Sequence, residues 1–141
     1  MIYVDDSCSL MIKKIHTTLE KNANKTLKEA DMTMAQQSVL VVLEEQPEHR
    51  LPLKVLEQKL MLSQSTVVGL VARLYQKGAV EYLPDPRDKR VKIASLTPYG
   101  AELCGRARTN MDDEEARLLS GLTDTEREIL KSLLKKVCAS L

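Results

Sequence analysis

The stretch from Ala79 to Leu96, read AVEYLPDPRDKRVKIASL, constrains this chain more than any other, because it has the form of two short strands joined by a charged turn. Val80 and Tyr82 fall on one face of the first strand, and Val91, Ile93 and Ser95 on one face of the second. That period of two marks half-buried strands. Between them, Asp85, Pro86, Arg87 and Asp88 suit a type I turn, since proline pre-sets the backbone of the second turn position and aspartate favours the first. The pattern predicts a narrow hairpin from which Arg87, Lys89, Arg90 and Lys92 project. Such a hairpin fits a DNA minor groove, where narrowing strengthens the negative potential and arginine inserts favourably. An ordinary solvated turn is the alternative.

Two helical patterns precede the hairpin. Leu51 to Leu60 has Pro52 at a first helical position and Leu53, Leu56 and Leu60 at helical spacing. Ser63 then offers an N-cap oxygen, Val67, Leu70, Val71 and Leu74 form one apolar stripe, and Gly78 ends the helix after Lys77. Opposite the stripe lie Ser65, Val68, Gly69, Ala72 and Gln76, flanked by Thr66 and Arg73. That face is small and polar, and it carries no charge before Arg73. A freely solvated face usually carries several, so close approach to a negative surface explains the pattern better. A second helix of a helix-turn-helix places its first residues against base edges in the major groove, where glutamine reads adenine and serine or threonine accepts either partner. The candidate readers are Ser63, Gln64, Ser65, Thr66, Val68, Gly69, Ala72 and Arg73, with a plain helix cap as the alternative reading of their start.

Charge is distributed accordingly. Residues 1–62 carry 8 basic and 9 acidic side chains, residues 63–92 carry 6 and 3, and residues 93–141 carry 7 and 8. Only the middle segment is net positive, which a whole-chain charge of +1 conceals.

The segment LSQSTVVGLVARLYQKGAVEYLPDPRDKRVKIASLTPYGAEL resembles the central region of MarR-type transcriptional regulators, with the helix, the Lys-Gly stop, the acidic-basic wing and the Leu-Thr-x-x-Gly start of the next helix in order. The resemblance implies a mainly α fold with a small β-hairpin wing, a winged helix-turn-helix lobe flanked by N- and C-terminal dimerisation helices. It implies that Asp88 pairs with Arg90, which enters the minor groove, and that the protein is a symmetric homodimer on double-stranded DNA. It also implies a small-molecule effector, often aromatic or phenolic, in a crevice between the dimer helices and the DNA-binding lobe; Met11, His16 and Met34 are the positional candidates. One departure stands out: where many relatives are basic just before the wing, this chain has Glu81, Tyr82 and Leu83, leaving Arg73, Lys77 and the wing to attract phosphate.

The flanks fit this organisation. Leu10 to Ala30 repeats Ile12, Ile15, Leu19, Ala23, Leu27 and Ala30 as one stripe. Thr33 with Gln36 has capping-box spacing, and Val39, Leu40, Val42 and Leu43 follow before Pro47. Thr97 and Pro98 open a long helix through Ala101, Cys104, Ala107 and Met111, and Thr123 with Glu126 opens a last one carrying Ile129, Leu130, Leu133, Leu134, Val137 and Leu141. The last stripe is wide enough to serve both the chain's own core and a partner. The expected organisation is one folded unit over 1–141, with 33–97 as the winged lobe and 1–31 and 98–141 dimerising.

No apolar run reaches membrane-spanning length, and a basic-then-apolar leader is missing, so a cytoplasmic protein without membrane contact is expected. Three unevenly spaced cysteines argue against a disulfide framework. Catalysis and cofactors find little footing: His16 and His49 are far apart, no ligand cluster has metal spacing, and the five glycines form no phosphate loop. Cys104 and Cys138 read as packed small hydrophobes. Cys8 lies near the position of the sensing cysteine in a peroxide-responsive branch of the family, but the tyrosines of that branch are missing from the Met32 to Gln37 region. A protein-binding winged module without DNA affinity, for which Glu81 to Leu83 speaks, and an enzyme assembled only in space remain the other classes.

Overall fold

The computed structural model describes residues 6–141, apart from the side chain of Glu29, so the first five residues of the 1–31 segment lie outside the described residues. Helix α1 (Cys8–Leu27) starts at Ser7, whose hydroxyl accepts the Leu10 N–H, and runs into a 3-10 turn over Lys28–Ala30. Helix α2 (Met34–Glu44) carries the expected capping box: Thr33 Oγ1 accepts the Gln36 N–H at 3.2 Å and Gln36 Oε1 accepts the Thr33 N–H at 3.3 Å. Next come β1 (Arg50–Pro52), α3 (Leu53–Leu60), α4 (Gln64–Gln76), β2 (Val80–Pro84), β3 (Lys92–Leu96), α5 (Pro98–Leu118) and α6 (Asp124–Ala139).

The chain divides into two compact units, with the boundary after Asn110 inside α5. The first unit holds the core. Val39, Leu40 and Leu43 of α2, Leu56 of α3 and Val67, Val71 and Leu74 of α4 are fully buried together with Ala79, Val80, Ala94 and Cys104. Truncating one of these leucines to alanine would leave a cavity costing about 2–5 kcal/mol. In the second unit α6 opens on the second capping box, Thr123 with Glu126, and Arg127 donates to the Leu119 carbonyl at 3.2 Å. None of the α6 residues is buried, and Cys138 is exposed rather than packed.

The sheet has three strands in the order β1-β3-β2, both pairings antiparallel, where the sequence suggested only a hairpin. The additional strand pairs Arg50, Leu51 and Pro52 with Ser95, Ala94 and Ile93. Pro52 therefore ends a strand and caps α3 rather than beginning it; its φ of −59° suits both positions. Register also fixes which face of the hairpin is internal. Val80 lies opposite Leu96 and Tyr82 opposite Ala94, so Ala94 and Leu96, not Ile93 and Ser95, share the inner face with Val80 and Tyr82. Ala94 fills that buried slot where α2 and α3 approach β3, and its small side chain gives the weaker apolar signal. On α5 the buried line is Gly100, Leu103, Cys104 and Ala107, while Ala101 and Met111 are exposed.

Candidate nucleic-acid interface

Helix α4 is built to show one face. Ser63 Oγ accepts the Thr66 N–H at 3.3 Å and lies 2.8 Å from Thr66 Oγ1 and 3.3 Å from Ser65 Oγ, so three hydroxyls cluster at the positive end of the helix. With Val67, Val71 and Leu74 inside, the outward positions are Gln64, Ser65, Thr66, Val68, Gly69 and Arg73, all exposed, and Ala72, half-buried. Nothing stands within 4 Å of where a Gly69 Cβ would be, so the middle of this face is flat and open. The helix stops in a paired reversal: Gly78 N–H donates to the Tyr75 carbonyl and Ala79 N–H to the Leu74 carbonyl, with Gly78 at φ +77°, a conformation that glycine adopts without strain.

The hairpin tip is organised by two aspartates. The closing i→i+3 bond runs from the Val91 N–H to the Asp88 carbonyl at 3.0 Å, three residues later than the Asp85–Asp88 turn expected from sequence. Asp85 uses its side chain instead, accepting the Arg87 N–H at 2.8 Å, a local bond that competes with the backbone turn. Asp88 accepts the Arg90 N–H at 3.0 Å and holds the guanidinium through Nε at 3.1 Å and Nη2 at 3.2 Å. These bonds to Arg90 hold the Asp88 carboxyl below its ordinary value, the side-chain bond first. Arg90 remains 91% exposed despite its pairing, so it is oriented yet free to meet a partner. Arg87 and Lys89 are exposed beside it. Lys92 is not at the tip: it begins β3, with its Nζ 5.5 Å from the centre of the Tyr82 ring.

Two cations named from sequence separate in their roles. Arg73 is exposed on α4, whereas Lys77 turns back to donate to Gln36 Oε1 at 3.0 Å and toward Met32 Sδ at 3.6 Å, fastening the end of α4 to the start of α2. A cleft of about 530 Å³ opens here, lined by Asn24, Lys28, Thr33, Gln36, Arg73 and Lys77 among others. Met11, His16 and Met34 do not line it: Met11 and His16 are exposed on α1, His16 Nε2 lying 3.4 Å from Glu20 Oε2, and the Met34 N–H donates to Asn24 Oδ1. Sequence reasoning missed Gln36 and Lys77 as partners because their contact joins residues far apart in the chain.

Behind the interface, Arg108 Nε bonds Glu44 Oε2 at 2.6 Å and the Cys104 thiol donates to the same oxygen at 3.0 Å. Bonds from Cys104 and then Arg108 hold Glu44 below its usual value, while burial, followed by the Glu44 bond, pushes Cys104 up to about 12. Cys8 is exposed at the first position of α1.

A family model described as the MarR family matches residues 32–92, the span from the α2 cap through the wing. A cysteine-to-serine mutant of E. coli MarR, solved with operator DNA, superposes with a TM-score of 0.81 at 30% identity over 92% of this chain and 91% of that one. The chain belongs to the MarR family. The MepR–DNA complex of S. aureus is similar to it with a TM-score of 0.85 at 27% identity, over 96% of this chain and 98% of that one. Multiple antibiotic resistance protein MarR of Salmonella typhimurium is 35% identical over 83 residues, and there the chain spans 58% of that relative's length. The MarR architecture thus accounts for the helix-turn-helix of α3 and α4 and the wing of β2 and β3. No helix among the described residues is long and apolar enough to cross a membrane.

Proposed function

We propose that this MarR-family chain is a sequence-specific DNA-binding transcriptional regulator, a homodimeric repressor acting on a pseudo-palindromic operator in the cytoplasm, and not an enzyme. The observation that carries the reading is the pairing of an open, hydroxyl-rich α4 face with a tip on which Asp88 orients an exposed Arg90. Ser63, Gln64, Ser65, Thr66, Val68, Gly69, Ala72 and Arg73 contact the major groove, and Arg87, Lys89 and Arg90 the minor groove, with Lys92 on the backbone beside them. Two relatives that share the fold, E. coli MarR and S. aureus MepR, were solved with DNA.

The homodimer is supported by the apolar surface left open: Met11, Ile12 and Ile15 on α1 and, in the second unit, Ile129, Leu133, Leu134 and Val137 on α6 are all exposed. The segments 1–31 and 98–141 bury these faces against a second copy, and two lobes of residues 33–97 then meet half-sites about one helical turn apart. A small effector occupies the cleft beside Lys28, Arg73 and Lys77, and its action requires unequal affinity for two lobe spacings.

The test is selection of bound sequences from a random duplex library, with the Arg87→Ala, Arg90→Ala double mutant in parallel. Recovery of an inverted repeat by the wild type, lost in the mutant, supports the reading. Unchanged binding by the mutant overturns the wing assignment, and no enrichment at low salt overturns the function in favour of a protein partner.

A further inference from the structure

The junction between α4 and the wing carries a cluster that neither set of groove contacts uses. Tyr75, near the end of α4, and Tyr82, in β2, bring their ring centroids to 5.0 Å with planes tilted by 43°. Lys92 Nζ sits 5.5 Å from the Tyr82 centroid. The register explains the meeting: Lys92 pairs with Pro84 and Ala94 with Tyr82, so Lys92 and Tyr82 are diagonal neighbours on the sheet face shared with Ala94. Tyr75 is 53% exposed, and neither phenol hydroxyl has a hydrogen-bond partner among the described residues.

Geometry says what such a place must face. A helix in the major groove and a wing in the adjacent minor groove straddle the one sugar-phosphate strand that separates them, so groups at the junction meet phosphate rather than base edges. The junction offers an ammonium and two hydroxyls, a set of donors suited to a phosphate oxyanion. The aromatic face holds the flexible lysine in position. Burial pushes the Tyr82 hydroxyl up, so it stays a neutral phenol able to donate.

We propose that Tyr75, Tyr82 and Lys92 form a binding site for a single backbone phosphate of duplex DNA, on the strand crossing between recognition helix and wing. The site rests on the DNA-binding reading above.

The experiment measures affinity against salt for the duplex recovered by selection, with each phosphate replaced in turn by an uncharged methylphosphonate. Wild type should lose affinity at one phosphate per half-site between the two groove contacts, and Lys92→Gln should lose nothing further there. The Lys92→Gln salt slope should be shallower by about 0.9 per subunit, roughly a three- to fourfold smaller loss of affinity per half-site between 50 and 200 mM salt. Tyr82→Leu should reproduce the Lys92→Gln slope, whereas Tyr82→Phe, which keeps the ring that positions the lysine, should keep the wild-type slope and lose affinity only through the missing hydroxyl donor. If wild type and Lys92→Gln lose affinity equally at every substituted phosphate and share one slope, the site is overturned while the DNA reading stands. If wild type binds no duplex, the reading falls and the site with it.

Discussion

The hydroxyl of Thr97 donates to the Gly78 carbonyl at 2.6 Å, which ties the start of α5 to the reversal that ends α4. The same oxygen accepts the Gly100 N–H at 3.0 Å, and the Thr97 N–H donates to the Ala79 carbonyl at 3.1 Å. Three bonds from one residue thus fix the base of the wing against two helices. Replacing Thr97 with alanine removes the helix cap and the Gly78 bond together, and should lower stability by about 1–2 kcal/mol. Thr97→Ser should retain most of that, and urea unfolding of the two variants distinguishes them.

Gly100 and Gly69 should respond in opposite directions to the same change. A Cβ at Gly100 would clash with the Ala79 carbonyl oxygen and would lie 2.8 Å from Leu96 Cδ1, so Gly100→Ala should destabilise by about 1–3 kcal/mol or more. At Gly69 a Cβ meets nothing, and the position is mid-helix, so Gly69→Ala should stabilise by about 1 kcal/mol. If α4 docks closely on base edges, Gly69→Ala should nevertheless weaken DNA binding. Thermal unfolding and duplex titration on the same samples check both halves.

Asp88→Asn should weaken DNA binding without moving the unfolding midpoint, because Asp88 orients Arg90 at an exposed tip and supports no core residue. The carboxyl is held below its ordinary 3.8, so the pairing is fully present above that value and is lost as pH falls through the lower folded value. Affinity controlled by this pair should therefore be flat from neutral to mildly acidic pH. A binding titration down to pH 5 that tracked Asp88 protonation would contradict it.

Cys104 should resist alkylation in the folded protein. Burial and the bond to Glu44 push its thiol up to about 12, which leaves almost no thiolate at pH 8. Peptide mass spectrometry after a short iodoacetamide pulse should find Cys104 unlabelled without urea and labelled with it. Labelling in native buffer would show that α5 opens locally.

What the chain reveals before folding depends on how far each cause reaches. The caps at Ser63, Thr33 and Thr123 were legible because a side chain and an N–H three residues on decide them. The α4 stripe was legible because helical period alone sets it, and the charged hairpin because alternation marks its strands, although its turn closes three residues later than Asp85 suggests. Strand β1 was not, since Arg50 to Pro52 is too short to show alternation and exists only because β3 pairs with it. Lys77 read as a DNA cation until Gln36, distant in sequence, offered it an oxygen. Lys92 and Tyr75 share the side chain of Tyr82 through register and helix packing, neither of which leaves a local mark.

The aspartates of the wing tip have a further implication for how the molecule tolerates substitution. Asp85 and Asp88 shape the tip through bonds confined to their immediate neighbours, and nothing buried depends on them. What the tip meets and whether the body holds together are therefore governed by separate residues. Substitution of the exposed Arg87, Lys89 or Arg90 would leave the interior unchanged.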